Sequence, residues 1–162
     1  MRGPYLFPVL QGQRVTALRV CDPATLPSRK AVHFGAIALQ CERHALLCYC
    51  PVRYLLYPRG SVFGRFGGAQ AILPFRLSLC EAADLEDWMP ITGGAHWSHH
   101  FDQELPMRGD VLAEAPQLVR DEETTAWQLE LRFSITRRFR LSGLDEHNRL
   151  RLDPAEVGGA TV

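Results

Sequence analysis

The alternation of apolar and polar side chains is sharpest in TAWQLELRFSITRRFRLS, residues 125–142. Trp127, Leu129, Leu131, Phe133, Ile135, Phe139 and Leu141 occupy every second position, with Gln128, Glu130, Arg132, Ser134, Thr136, Arg138 and Arg140 between them. A period of two puts one set on each face of a strand, whereas a helix would scatter the same residues around its axis. Only Arg137 interrupts the apolar row. One straight strand over 127–141 would run roughly 50 Å at about 3.3 Å per residue, so the pattern predicts that it bends, bulges or changes sheets, with a bulge placed at Arg137.

The rest of the chain reads as further strands between turn signals. Residues 14–21 (RVTALRVC) follow Gln11-Gly12 and pair as a first hairpin with YLFPVL, which Pro8 confines to an edge. DPATLPSRK, residues 22–30, is a loop. AVHFGAIALQC and HALLCYCPVRYLLY flank a polar break at Glu42-Arg43 and are apolar on both faces. They predict a central hairpin packed above and below, although periodicity alone fits a buried helix too. Leu73, Phe75, Leu77 and Leu79 alternate with Pro74, Arg76 and Ser78, as in a half-exposed edge strand. In EAADLEDWM, residues 81–89, Ala82, Leu85, Trp88 and Met89 recur at helical spacing, and Glu81 and Asp84 suit a helix N-terminus. This predicts one short helix capping the sheet. RLRL before Asp153-Pro154 returns as a last strand, and 156–162 form a loose tail. The fold class expected is mainly β: an antiparallel β-sandwich or barrel with one short helix near 81–89, in a single domain over residues 1–155.

Composition narrows the partners. Lys+Arg and Asp+Glu both number 18, so the molecule has no overall field to attract nucleic acid or an anionic membrane. Lys30 is the sole lysine, and an arginine-biased surface suits bidentate contacts to carboxylates. Pro4 and Pro8 break the N-terminal apolar run, and no long apolar stretch follows, so neither signal peptide nor membrane span is read. Cys21, Cys41, Cys48, Cys50 and Cys80 are an odd set lying mostly in or beside apolar runs, which suits buried thiols in a cytoplasmic setting.

Four groups of residues carry candidate chemistry. HWSHHFD, residues 96–102, concentrates His96, His99, His100 and Asp102, ligand types for zinc or another transition metal. A third ligand for a catalytic ion would come from His33 or Glu104; HExxH is absent, and Gly93-Gly94 opposes a regular helix. Cys41, His44, Cys48 and Cys50 also have zinc-ligand chemistry, but a turn at Glu42-Arg43 would hold Cys48 about 13 Å down the strand, beyond one ion's reach. PRGSVFGRFGG, residues 58–68, matches no phosphate-binding motif and reads as a loop. Arg132, Arg137, Arg138 and Arg140 form a basic stripe whose neighbouring aromatics face the other way, which favours an acidic protein partner over a nucleic acid. The function expected is therefore a cytoplasmic, non-catalytic binding module of adaptor, assembly or toxin-neutralising type, without a cofactor. Its alternatives are a metal-dependent barrel enzyme using the 96–102 segment and a carrier of a small apolar ligand.

Overall fold

The computed structural model describes residues 2–21, 24–25, 32–50, 56–58, 73–90, 103–105, 107–123, 125–133, 138–144 and 150–155. In chain order the strands are β1 (Arg2–Tyr5), β2 (Val15–Cys21), β3 (Ala24–Thr25), β4 (Val32–Phe34), β5 (Ala36–Cys41), β6 (His44–Tyr49) and β7 (Leu56–Pro58). They continue with β8 (Arg76–Glu81), β9 (Trp88–Pro90), β10 (Gln103–Leu105), β11 (Gln117–Arg120), β12 (Trp127–Arg132), β13 (Arg138–Leu144) and β14 (Leu150–Ala155). A large antiparallel sheet has the order β1-β11-β12-β13-β14-β4-β3, and a smaller one β10-β2-β5-β6-β8; β7 and β9 make a two-stranded ribbon. Among the described residues both larger sheets end on edge strands and neither closes into the barrel that was one of the two expected forms.

The two sheets share one apolar core. Leu118, Leu129, Leu131, Phe133, Leu141, Leu150 and Leu152 point into it from the large sheet, and Leu18, Val20, Ile37, Leu39, Leu46, Cys48 and Leu77 from the small one. Gly35, buried and bent, lies between β4 in the large sheet and β5 in the small one. AVHFGAIALQC is thus two strands in different sheets, and a residue without Cβ marks the corner where the chain crosses between them.

The small sheet is apolar on its far side as well. Ala36, Ala38, Ala45, Leu47 and Tyr49 form a second cluster there, against which Leu85 packs. Central strands buried on both faces lose the clean alternation of a half-wet sheet, and the continuous apolar runs in β5 and β6 reflect that. The turn at Glu42-Arg43 is present: Ile37 stands opposite Cys48 and Leu39 opposite Leu46. In β2 the register slips between Val15 and Ala17, which lets Val15 and Leu18 both face the core despite their odd spacing.

Three expectations are corrected. The helix over 81–89 is absent: Glu81 ends β8, Ala82–Asp87 forms a 3-10 turn, and Trp88 begins β9. Glu81 is held opposite His44 and Trp88 opposite Pro58, leaving only 6 residues between extended neighbours. That is too few for a stable α-helix, while a three-residue turn still brings buried Leu85 onto the sheet. Among the described residues the helical elements are this turn and a second at Pro8–Leu10. The N-terminal segment does not pair with β2. β1 lies instead beside β11, and Phe7, at φ 52, reverses the chain into the Pro8–Leu10 turn.

The third correction concerns 127–141, which is no single long strand. β12 and β13 fold back on each other as an antiparallel hairpin, with Arg132 opposite Arg138 and Leu129 opposite Leu141. Arg137, where the bulge was expected, lies outside the described residues, as does the tail 156–162. The last strand, β14, is longer than RLRL and includes Pro154; among the described residues its flank toward β4 is paired from Leu150 to Leu152, and Pro154 lies beyond that pairing.

Candidate functional site

The outer face of the large sheet is the polar one. Cross-strand register aligns Gln117, Glu130, Arg140 and Asp153 in one row over β11, β12, β13 and β14, with Arg132 and Arg138 as the next pair toward the hairpin turn. Even-numbered positions of β12 and β13 point outward because the odd-numbered ones are fixed in the core.

Glu130 organises this face. Its side chain is only 2% exposed, yet it meets three guanidinium groups: Arg140 Nε at 3.1 Å, Arg2 Nη1 at 3.4 Å and Arg138 Nε at 3.4 Å. The Arg2 and Arg140 contacts are hydrogen bonds. Arg138 Nε is close enough to attract the carboxylate but is not aligned to donate to it. Arg2 Nη1 also donates to Gln117 Oε1 at 2.6 Å, and Gln117 Nε2 donates to the Gly3 carbonyl, so the network ties edge strand β1 to the sheet centre. A buried carboxylate is tolerable because the charges opposite it offset the loss of hydration.

Around this centre Arg132 pairs with Glu114 at 3.1 Å and Arg151 with Asp153 at 3.0 Å. Among the described residues the ion-paired set on this face comprises five arginines (Arg2, Arg132, Arg138, Arg140 and Arg151) and three carboxylates (Glu114, Glu130 and Asp153), two more guanidinium groups than carboxylates before the acids at its margin are counted. At the β1 and β11 margin, Arg2, Arg120 and Arg140 line a cleft of about 410 Å³ whose other wall is Asp121, Glu122 and Glu123.

Of the residues singled out in the sequence, Arg132, Arg138 and Arg140 share this face, and Arg137 lies outside the described residues. All three are ion-paired, so the stripe is a network and not a row of free cations. Arg2, Gln117 and Glu130 were missed. Their only sequence signal is Glu130 itself, an acid amid outward-facing arginines; that Arg2 reaches it follows from a pairing between β1 and β11 that spans most of the chain.

His96, His99, His100 and Asp102 lie outside the described residues, as does the glycine-rich stretch 59–68. Glu104, one possible further ligand, is engaged by Arg108 at 2.9 Å. His33, the other, has its backbone on β4 opposite Arg151. Among the described residues no group of His, Cys, Asp and Glu could hold a metal ion. The Cys41, His44, Cys48 and Cys50 set is spread along the β5 and β6 hairpin, with Cys41 opposite Val15 and Cys48 opposite Ile37. Burial and the charge of Glu42 push the Cys41 thiol up to about 12, and burial raises that of Cys48 as well. Thiols so disposed are poor nucleophiles and poor metal ligands. His44 Nδ1 is meanwhile held by Gln13 Nε2 at 2.9 Å.

The chain matches no protein-family model, no curated protein and no solved structure, so the functional reading rests on the charged outer face of the large sheet.

Proposed function

We propose that the chain is a non-catalytic binding module that docks an acidic protein partner on the outer face of its large sheet. The observation that carries this reading is the surplus of guanidinium groups gathered around buried Glu130. Arginines already fixed by carboxylates lose less freedom on meeting a partner than loose lysines would, and a positive face speeds and orients encounter with a negative one. A cytoplasmic setting suits the unbridged Cys41, Cys48, Cys50 and Cys80, and among the described residues no helix is long and apolar enough to cross a membrane.

The test is affinity capture with the whole chain as bait, followed by titration of the purified captured protein against wild type and an Arg140→Gln, Arg151→Gln double variant of verified fold. The expected partner is acidic and binds the double variant about tenfold more weakly or worse, with affinity that falls as salt rises. A partner that binds both forms equally, or the absence of any saturable partner, overturns the proposal.

A further inference from the structure

We infer that Arg132 and Arg138, at the turn end of the β12 and β13 hairpin, together form a seat for a single oxyanion. The two residues stand directly opposite each other on adjacent strands. Like charges placed so are unfavourable, since facing Cβ atoms are about 4.5–5.5 Å apart. The row beside them, Glu130 opposite Arg140, has the complementary arrangement, so the mismatch is confined to one pair.

The hydrogen bonding of this pair is also incomplete. Both Nε atoms are buried and neither has a hydrogen-bond partner. Leaving a buried donor unmade is costly, and the cost is larger on a charged group. The nearby carboxylates do not repair it. Glu114 engages Arg132 through Nη1, and Glu130 is shared among Arg2, Arg138 and Arg140. A guanidinium grips an oxyanion with parallel bonds from two N–H groups, and the edge carrying Nε–H remains unspent on both side chains. With 28% and 15% exposure the two side chains are partly withdrawn from bulk water, and because both Nε atoms are themselves buried, seating a ligand on that edge requires each guanidinium to turn outward. One anion between them would relieve the repulsion and satisfy both donors.

A carboxylate on a docked protein and free inorganic phosphate present the same chemistry. Only the first source rests on the docking function proposed above. The experiment follows the arginine Nε–Hε resonances of the intact, nitrogen-15-labelled chain during titration with acetate and, separately, inorganic phosphate, at ionic strength held constant with chloride. The Arg132 and Arg138 signals, assigned through Arg132→Lys and Arg138→Lys, are expected to move saturably, while that of Arg140, already bonded to Glu130, moves little. Either Arg132→Gln or Arg138→Gln should weaken the response about tenfold, the size expected for losing a hydrogen bond to a charged group. Response to acetate alone identifies a carboxylate seat, and response to phosphate alone a site for the free ion. A drift of all arginine signals without saturation is screening only and overturns the inference. A partner that depends on Arg140 and Arg151, with no response at Arg132 or Arg138, removes this site and leaves the docking face; saturation without any acidic partner does the reverse.

Discussion

Leu129 stands directly across the β12 and β13 hairpin from Leu141, and both are fully buried. The register pairs odd positions with odd, so the apolar sets of β12 and β13 both face the core. Phe133 and Phe139 close the same apolar row near the turn, their ring centroids 5.7 Å apart in an edge-on contact.

Leu129→Ala should therefore open a cavity between the two sheets and destabilise the fold by about 2–5 kcal/mol, whereas Gln128→Ala, facing outward, should change stability by no more than about 0.5 kcal/mol. Urea unfolding of the two variants measures this contrast. Equal losses would mean that the hairpin faces are not divided as described.

Glu130 is a buried charge held by three partners, so deleting it differs from deleting a surface acid. Glu130→Gln should leave Arg2, Arg138 and Arg140 repelling one another, with an expected loss of about 2–4 kcal/mol. Added salt should recover part of this loss by screening the exposed guanidinium groups. Combining Glu130→Gln with Arg140→Gln should cost less than the two losses together, because the two side chains share one interaction. Strict additivity in urea titrations would show that the network contributes nothing as a unit.

Gln13 has a comparable role beside the turn between β5 and β6. Its Nε2 donates to the Val9 carbonyl at 2.8 Å and meets His44 Nδ1, while its Oε1 accepts from the backbone N–H groups of Arg43 and His44 at 3.1 and 3.2 Å. The side chain is buried, so its loss strands several polar groups together. Gln13→Ala should cost about 2–4 kcal/mol and speed hydrogen exchange at the Arg43 and His44 amides ahead of the β5 and β6 interior. Unchanged exchange at those two amides would contradict the capping role.

Legibility tracked the range of the interaction. The β5 and β6 hairpin, the polar break between its strands and the facing of β12 and β13 are set by local alternation, and each could be read from neighbouring residues. Within 127–141 the described residues 127–132 and 138–141 are β with the faces that the alternation predicts, but periodicity is identical for one strand and for an even-registered hairpin, so the fold-back is invisible in it. At 81–89 the spacing of Ala82, Leu85 and Trp88 satisfies a 3-10 turn running into a strand as well as a helix. The outer face shows the same division. Arg132, Arg138 and Arg140 were legible as one surface, but not their tie to Glu130 and Arg2, which depends on packing between distant strands. Position by position the stripe looked like free charge, and only the tertiary arrangement shows how much of it is already neutralised.

The buried thiols supply a pH dependence whose sign is fixed by which form the fold favours. Burial, then the charge of Glu42, raises Cys41 from an ordinary 9.0 to about 12; burial raises Cys48 too, and it raises Tyr49 from 10.0. Folding therefore favours the neutral, protonated groups. Below pH 9.0 folded and unfolded thiols are both protonated, and their contribution to stability is fully present. As pH rises from 9.0 to about 12 the unfolded chain gives up these protons first, and stability falls through that interval. A Cys41→Ala, Cys48→Ala double variant should lose less stability between pH 8 and pH 11 than wild type, whatever its starting value, as read from urea midpoints at each pH. In the folded protein at neutral pH, half-exposed Cys80 should react with a thiol reagent well ahead of Cys41 and Cys48, and in denaturant all five cysteines should titrate. Parallel pH profiles for wild type and the double variant would show that these thiols are no more buried in the native state than in the unfolded chain, and the core shared by the two sheets would have to be redrawn around them.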